Sequence, residues 1–239
     1  MVETVEDMIY EEYLKEKVKE SELNSLKETP IKTIVFDFGG VIFTDGSWAA
    51  LKKIKNTLRL KEEDIEALEE CFGNEPGAMG QLLRLGIISL DEFLDRFVKK
   101  LGLKKSKKKL IKNLWFSSYV PNYNMRKIIK KLYKTKKYRL VAFSGNVRER
   151  IKYLEKRYDL LKFFDDKVFT FDYQKNKRDM EFYSELLLHV DCDPSEAVLI
   201  DDSWNNISRA QKVGMKAIHF AYTKKFLKDL KKLDIEINL

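Results

Sequence analysis

From residue 139 to residue 220 the chain alternates short apolar runs with helical patterns, and this alternation restricts the fold more than any other feature. Residues 139–143 read as a strand, 149–158 as a helix, 167–171 as a strand and 179–189 as a helix. The pattern continues with a strand at 197–201, a helix at 205–213 and a strand at 216–220. Repeated strand–helix–strand units require a mostly parallel sheet with right-handed crossovers and helices on its faces. An earlier β-branched run, 32–38, ends in glycines and reads as a buried first strand followed by a tight turn. The expected class is α/β, a doubly wound, mostly parallel Rossmann-like sheet.

The segment between the first strand and the rest breaks this rhythm. Residues 48–115 are helical in pattern throughout, with segments at 49–60, 62–72, 90–101 and 107–116 and no strand signal between them, so they read as an inserted helical cap. The small residues of GNEPGAMG, 73–80, read as a turn between two of these helices, and 125–133 reads as a further helix. At the N-terminus the spacing of Val5, Met8, Ile9, Tyr13, Leu14 and Val18 suits an amphipathic helix ending before Pro30. The organisation expected is a helical extension at 1–30, a Rossmann-like core formed by 31–46 with 125–239, and a cap at 47–124.

A net charge of +8 and a pI near 9.2 favour anionic partners such as phosphorylated metabolites, nucleic acid or acidic lipid. Residues 104–139 hold fourteen Lys and Arg and no acid. These are mostly lysines spaced around helices, without arginines interleaved with stacking aromatics, which argues for a solvated face and against a nucleic-acid surface. No apolar stretch reaches the about 18 residues that span a bilayer, and the N-terminus is acidic, so a cytoplasmic protein with no membrane partner is expected. Two cysteines far apart, Cys71 and Cys192, exclude a disulfide framework and a cysteine-ligated zinc site. Nothing in the sequence speaks to oligomeric state.

In an open parallel sheet, ligands bind beyond the carboxyl ends of the strands where the strand order reverses. The polar residues ending apolar strand runs are Asp37, Ser144, Asp201 and Asp202. One alone would usually cap a turn or a helix; four on one sheet edge make a site. If Asp37 met Asp201 or Asp202 at about 4 Å, their repulsion would reach roughly 4 kcal/mol at an effective dielectric of 20. A cation must then sit among them. With only His189 and His219 and no cysteine cluster, an all-oxygen site points to Mg²⁺. Strand alternation would turn one of Asp201 and Asp202 toward the metal and leave the other to orient a ligand from behind.

These motifs resemble the haloacid dehalogenase superfamily of hydrolases, in the branch with a helical cap after the first strand. IVFDFGGVIF resembles the family's first motif, which implies Asp37 as nucleophile; VAFSGN resembles the second, which implies that Ser144, with the backbone of Gly145 or Asn146, binds the transferring phosphoryl group. FTFDYQKNKRDMEFY is similar to the third and implies Lys177 as the phosphate-binding lysine; LIDDSWNNISRAQKVGM is similar to the fourth, with Asp202 at the metal position and Asn206 four residues on. The likeness runs over residues 32–220. It implies a Mg²⁺-dependent phosphatase acting on a small phosphorylated metabolite through an aspartyl phosphate, with the metal held by Asp37, Asp202 and the Gly39 carbonyl, and Asp201 and Asn206 in support.

Three departures stand out: Arg178 replaces the proline usual after the lysine, Gly145 separates the serine from its asparagine, and Gly39 replaces the second Asp that most phosphatases of the family use as general acid and base. A glycine there also occurs in a branch resembling bacterial glucose-1-phosphate phosphatases. Two other readings stay open. A 2-haloacid dehalogenase would use the same nucleophile without metal, and the Asp201–Asp202 pair weighs against it. A non-catalytic protein could keep the scaffold to bind a phospho-ligand or partner, and Gly39 and Arg178 favour that reading. His189 and His219 read as packed or surface residues.

Overall fold

The computed structural model of the chain describes residues 29–73 and 75–237, so the expected N-terminal extension lies outside the described residues except for its last two. Five parallel strands form one sheet in the order β3-β2-β1-β4-β5. They are β1 (Thr33–Phe36), β2 (Arg139–Ser144), β3 (Asp166–Phe169), β4 (Ala197–Asp201) and β5 (Lys216–His219). The chain builds outward from β1 to β3 and then returns past β1 to start β4. The order therefore reverses between β1 and β4.

Side-chain alternation splits the central strands into two apolar faces. Ile34, Phe36, Leu140, Ala142, Val198 and Ile200 point to one face, and Val35, Val141, Phe143, Val168 and Leu199 to the other. Neither face of β1 or β4 meets water, which explains their near-continuous β-branched and aliphatic sequences. The first face packs on α6 (Tyr123–Thr135), α7 (Arg148–Tyr158) and α11 (Thr223–Lys232) through Ile128, Ile129, Ile151, Leu154 and Phe226. The second packs on α9 (Met180–Val190) and α10 (Trp204–Lys212), with Phe182 stacked on Phe143 at 4.7 Å. Each such aromatic or aliphatic side chain, fully buried, contributes about 1.5–3 kcal/mol.

Between β1 and β2 run α1 (Gly46–Leu58), α2 (Glu63–Phe72), α3 (Met79–Arg84), α4 (Leu90–Lys100) and α5 (Lys108–Phe116). Phe72 meets Phe93, Phe97 and Trp115 there edge to face, with Phe72 and Trp115 centroids 4.7 Å apart, and Phe93 and Trp115 pack tilted. Asp45 caps α1 and Ser89 caps α4 by accepting from backbone N–H groups of the first turns.

Three details differ from the sequence reading. The strand expected over 167–171 stops at Phe169, and Thr170–Tyr173 form a short helix, α8, because the Thr170 hydroxyl donates to the Arg84 carbonyl and draws the chain toward the insertion. The turn expected at 73–80 ends two residues early, since Met79 and Gly80 begin α3. The helix α11 has no counterpart in the reading, because lysines outnumber the apolar residues that anchor it. No helix among the described residues is long and apolar enough to cross a membrane.

Candidate active site

The reversal of strand order opens a cleft at the carboxyl ends of β1 and β4, and both strands end there in aspartates. Asp37 follows β1, tied to β4 by its N–H on the Ile200 carbonyl at 2.9 Å. Its Oδ1 accepts from the Phe38 N–H at 2.7 Å and from Lys177 Nζ at 3.0 Å. Asp201 closes β4 and is fully buried: Oδ2 accepts from Lys177 Nζ at 2.8 Å, Oδ1 from the Ser203 N–H at 2.9 Å, and Asn206 Nδ2 reaches both oxygens at 3.0 and 3.1 Å. Asp202 is more open to solvent, and one oxygen from each of the three carboxylates lies within 4.8 Å of the others.

Strand alternation alone does not set the places of the paired aspartates. β4 pairs in register only as far as Asp201, opposite His219, so Asp202 already lies outside the strand and a period of two no longer governs it. Both carboxylates reach the cluster, Asp201 from beneath and Asp202 from the open side.

Three carboxylates and one ammonium leave an excess of negative charge in a mostly buried place. Burial pushes Asp37 up to about 7, with Asp201 and Asp202 adding to the rise and Lys177 opposing it. Asp202 rises to about 6, through burial and then the charge of Asp201. For Lys177 burial is the largest influence and acts downward, but Asp201 and Asp37 outweigh it and hold the ammonium above its ordinary value. The oxygen-only donor set and this uncompensated charge suit a hard dication such as Mg²⁺, and the residues fit it.

Ser144 ends β2 and Gly145 follows; both line the same cavity of about 460 Å³ as Asp37, Gly39, Lys177 and Asn206. The loop that presents Lys177 is held by Asn176 and Asp179. Asn176 Oδ1 accepts the Arg178 N–H at 3.0 Å, and Asp179 Oδ2 accepts the Asn176 N–H at 2.9 Å. Arg178 also spans to the insertion through a two-point pair with Glu75 at 3.1 and 3.2 Å.

The glycine pair resolves unequally. Gly40, not Gly39, takes the left-handed conformation, at φ +74°, and a Cβ on Gly40 would lie 1.9 Å from Asp202 Oδ2. A Cβ on Gly39 would meet nothing within 4 Å. Neither histidine enters the cavity: His189 sits between Tyr173 and Asp166, and His219 stacks on Trp204 and bonds the Asp202 carbonyl.

Cavity residues that the sequence did not single out include Ser47, Arg84, Tyr119, Arg150 and Thr170. They come from helices and turns distant in sequence, and no local pattern marks them.

The family model of haloacid dehalogenase-like hydrolases matches residues 34–220. The chain belongs to this family. This haloacid dehalogenase-like hydrolase is 31% identical over 167 residues to an uncharacterised protein of Dictyostelium discoideum, covering 69% of each chain. It is 34% identical over 65 residues to flavin mononucleotide hydrolase 1 of Arabidopsis thaliana, a match spanning 27% of this chain and 26% of that one. Among solved structures, a family enzyme from Bacteroides thetaiotaomicron in complex with magnesium and inorganic phosphate superposes with a TM-score of 0.65 at 22% identity, covering 79% of this chain and 93% of that one. The L-2-haloacid dehalogenase of Xanthobacter autotrophicus gives 0.58 at 12% identity, covering 83% and 81%. At these identities the structural likeness speaks to the fold alone.

Proposed function

We propose that the chain is a Mg²⁺-dependent phosphatase of small phosphorylated substrates, with Asp37 as nucleophile. The observation that carries this reading is the third carboxylate: Lys177 can neutralise Asp37 or Asp201, and Asp202 adds a charge that only a further cation answers. A dehalogenase that works without metal, on a carboxylate substrate, would face that charge unscreened. The similarity to a flavin mononucleotide hydrolase, though short, favours a phosphoric ester in the same way.

In this reading a phosphoryl group lies between Asp37, Ser144, the backbone N–H groups at Gly145 and Asn146, and Lys177. An Asp37 carboxylate oxygen attacks phosphorus, the Asp37–phosphorus bond forms and the bond to the leaving oxygen breaks. Water then attacks the aspartyl phosphate, releasing phosphate and restoring the carboxylate. Lys177 balances negative charge on the attacked group and keeps Asp37 aimed. Asp37, Asp202 and the Gly39 carbonyl would hold Mg²⁺, which when bound screens the negative charge of nucleophile and phosphoryl oxygens. Asp201 and Asn206 support this set, Asp201 by anchoring Lys177 and Asn206 by fixing Asp201. The helices of 47–124 would serve as the cap that closes over the substrate.

The test is hydrolysis of an aryl phosphate and of a panel of phosphorylated metabolites, flavin mononucleotide among them, with Mg²⁺ and with EDTA, beside halide release from 2-chloropropionate. Metal-dependent phosphate release that vanishes in Asp37→Asn supports the reading. Halide release undiminished by EDTA, with no phosphate release, would replace it.

A further inference from the structure

Two guanidinium groups at the cavity, those of Arg84 and Arg150, have no acid within ion-pair distance among the described residues, Asp45 acting on both only from farther off. Arg150, in the first turn of α7, is 2% exposed and lines the cavity. Its Nε donates to Asn146 Oδ1 at 2.5 Å, and its Cζ lies 4.0 Å from the centre of the Tyr119 ring and 5.1 Å from that of Trp115. Those contacts leave Nη1 buried and without a hydrogen-bond partner among the described residues. Arg84, the last residue of α3, lines the same cavity and, among the described residues, donates to the Gly73 and Phe72 carbonyls at 3.2 and 3.0 Å. These neutral carbonyls take one N–H each from Nη1 and Nη2 and leave the charge in place.

The remaining cations of the cavity wall differ. Lys177 is shared between Asp37 and Asp201, Arg178 is paired with Glu75, and Arg209, at the outer wall, donates Nε to the Arg178 carbonyl at 3.0 Å. Burial lowers Arg150 to about 10, with Tyr119 opposing, Arg84 adding to the fall and Asp45 opposing, and burial lowers Arg84 against Tyr119 and Asp45; both arginines stay charged at neutral pH. A buried charge without a partner is expensive, and a buried N–H without an acceptor adds to the cost. An arginine that merely joined α5 to α7 would explain the ring contacts and Nε. It leaves Nη1, and the second positive charge beside it, without a purpose.

We propose that the substrate carries a second anionic group besides its phosphoryl group, and that Arg84 and Arg150 bind this second group where α3 and α7 line the cavity. The identity of the first group rests on the phosphatase reading; the second site stands on the arginines. A guanidinium offers a planar fork that matches the oxygens of a carboxylate or of a phosphate, so either group meets the requirement.

The test uses phosphonates, whose carbon–phosphorus bond is not hydrolysed. Calorimetric titration of the full chain with Mg²⁺ compares phosphonocarboxylates from phosphonoacetate to 4-phosphonobutyrate, alkylphosphonates of matched length, and alkylene bisphosphonates. At least one doubly anionic series is expected to bind about tenfold more tightly than its alkyl match, or about 1.4 kcal/mol. The series that gains identifies the second group as carboxylate or phosphate. Arg84→Met and Arg150→Met each remove the gain; if Arg150→Met fails to fold, Arg150→Lys, which keeps the charge and loses the fork, reduces it at least about threefold. Equal affinity across the series, absence of binding by all of them, or a gain that survives both arginine variants overturns the proposal. Because the titration reads binding alone, it stands or falls apart from the aryl phosphate assay that tests the phosphatase reading.

Discussion

Asp201 and Asp202 are neighbours with opposite surroundings, and their substitutions should separate accordingly. Asp201 is fully buried and its oxygens accept from Lys177, Ser203 and Asn206. Replacing it by Asn breaks a buried ion pair and leaves Lys177 with Asp37 alone, so Asp201→Asn should lower stability by about 3 kcal/mol, read by urea unfolding. Asp202 has no such bonds to lose and contributes its charge to the open side of the cluster. Asp202→Asn should leave stability within about 1 kcal/mol of the parent and weaken Mg²⁺ binding by roughly tenfold or more, since one unit charge at about 4 Å is worth roughly 4 kcal/mol at an effective dielectric of 20. A larger loss of Mg²⁺ affinity in Asp201→Asn than in Asp202→Asn would reverse these roles. Asp37→Asn, in turn, should abolish aryl phosphate turnover while Asp37's neighbours keep the fold; turnover at the parental rate would remove Asp37 as nucleophile.

The loop after β1 bears on the missing general acid. A positioned acid contributes roughly 10²- to 10⁴-fold to rate, and its absence matters most for poor leaving groups. Rates should therefore fall steeply with leaving-group pKa. Gly39 has open space at its Cβ and an ordinary φ, so Gly39→Asp should fold normally and flatten that dependence by raising turnover of alkyl phosphates. Gly40→Ala should do the opposite, because its Cβ would collide with the Asp202 carboxylate in a left-handed backbone, and Mg²⁺ affinity should fall. A flat leaving-group plot in the parent would show that another residue already donates the proton. The loop carrying Lys177 tells a similar story at its own departure from the family pattern. Arg178→Pro, which restores the common residue, loses the N–H bond to Asn176 and the Glu75 pair, and should destabilise the chain by about 1 kcal/mol. The loop after β1 was legible in sequence because a polar residue closing a buried strand is rare and placed by the strand itself, whereas Lys177, beyond β3 and α8, was marked only by the resemblance to the family's third motif. Arg84 and Arg150 were not: RERIKYLEKR reads as a solvated helix, and only the packing of α7 under Trp115 and Tyr119 buries its second arginine. Sequence likewise does not distinguish the two adjacent glycines, since composition cannot say which of them meets Asp202.

On the scale of the whole molecule, the sheet converts a local charge problem into a pH-dependent stability. The parallel sheet was readable from the strand–helix alternation, whereas its strand order, seen only in the structure, brings the ends of β1 and β4 together and buries Asp37 beside Asp201. Without metal, Asp37 holds its proton up to about 7 and Asp202 up to about 6, against about 4 for an ordinary aspartate. A carboxyl that binds its proton more tightly when folded gives the folded state an advantage that is complete below pH of about 4 and disappears as pH rises through about 6 to 7, because over that window the native protein binds more protons than the unfolded chain. Metal-free protein should therefore lose stability between pH 4 and 7. Mg²⁺ competes with those same protons, so its stabilising effect must grow across the window where metal-free stability declines. At a hundredfold excess over its dissociation constant a ligand adds about 2.7 kcal/mol, which for a chain of this size raises Tm by roughly 5–10 °C. Thermal unfolding with and without Mg²⁺ should show a shift of that order at pH 8 and less than half of it at pH 5 at the same metal concentration. The Asp202→Asn variant should show a small shift at both values. Equal Mg²⁺ shifts at pH 5 and pH 8 in the parent would mean that the ion binds away from Asp37 and Asp202, and that the three carboxylates at the sheet's switch point are not the metal site.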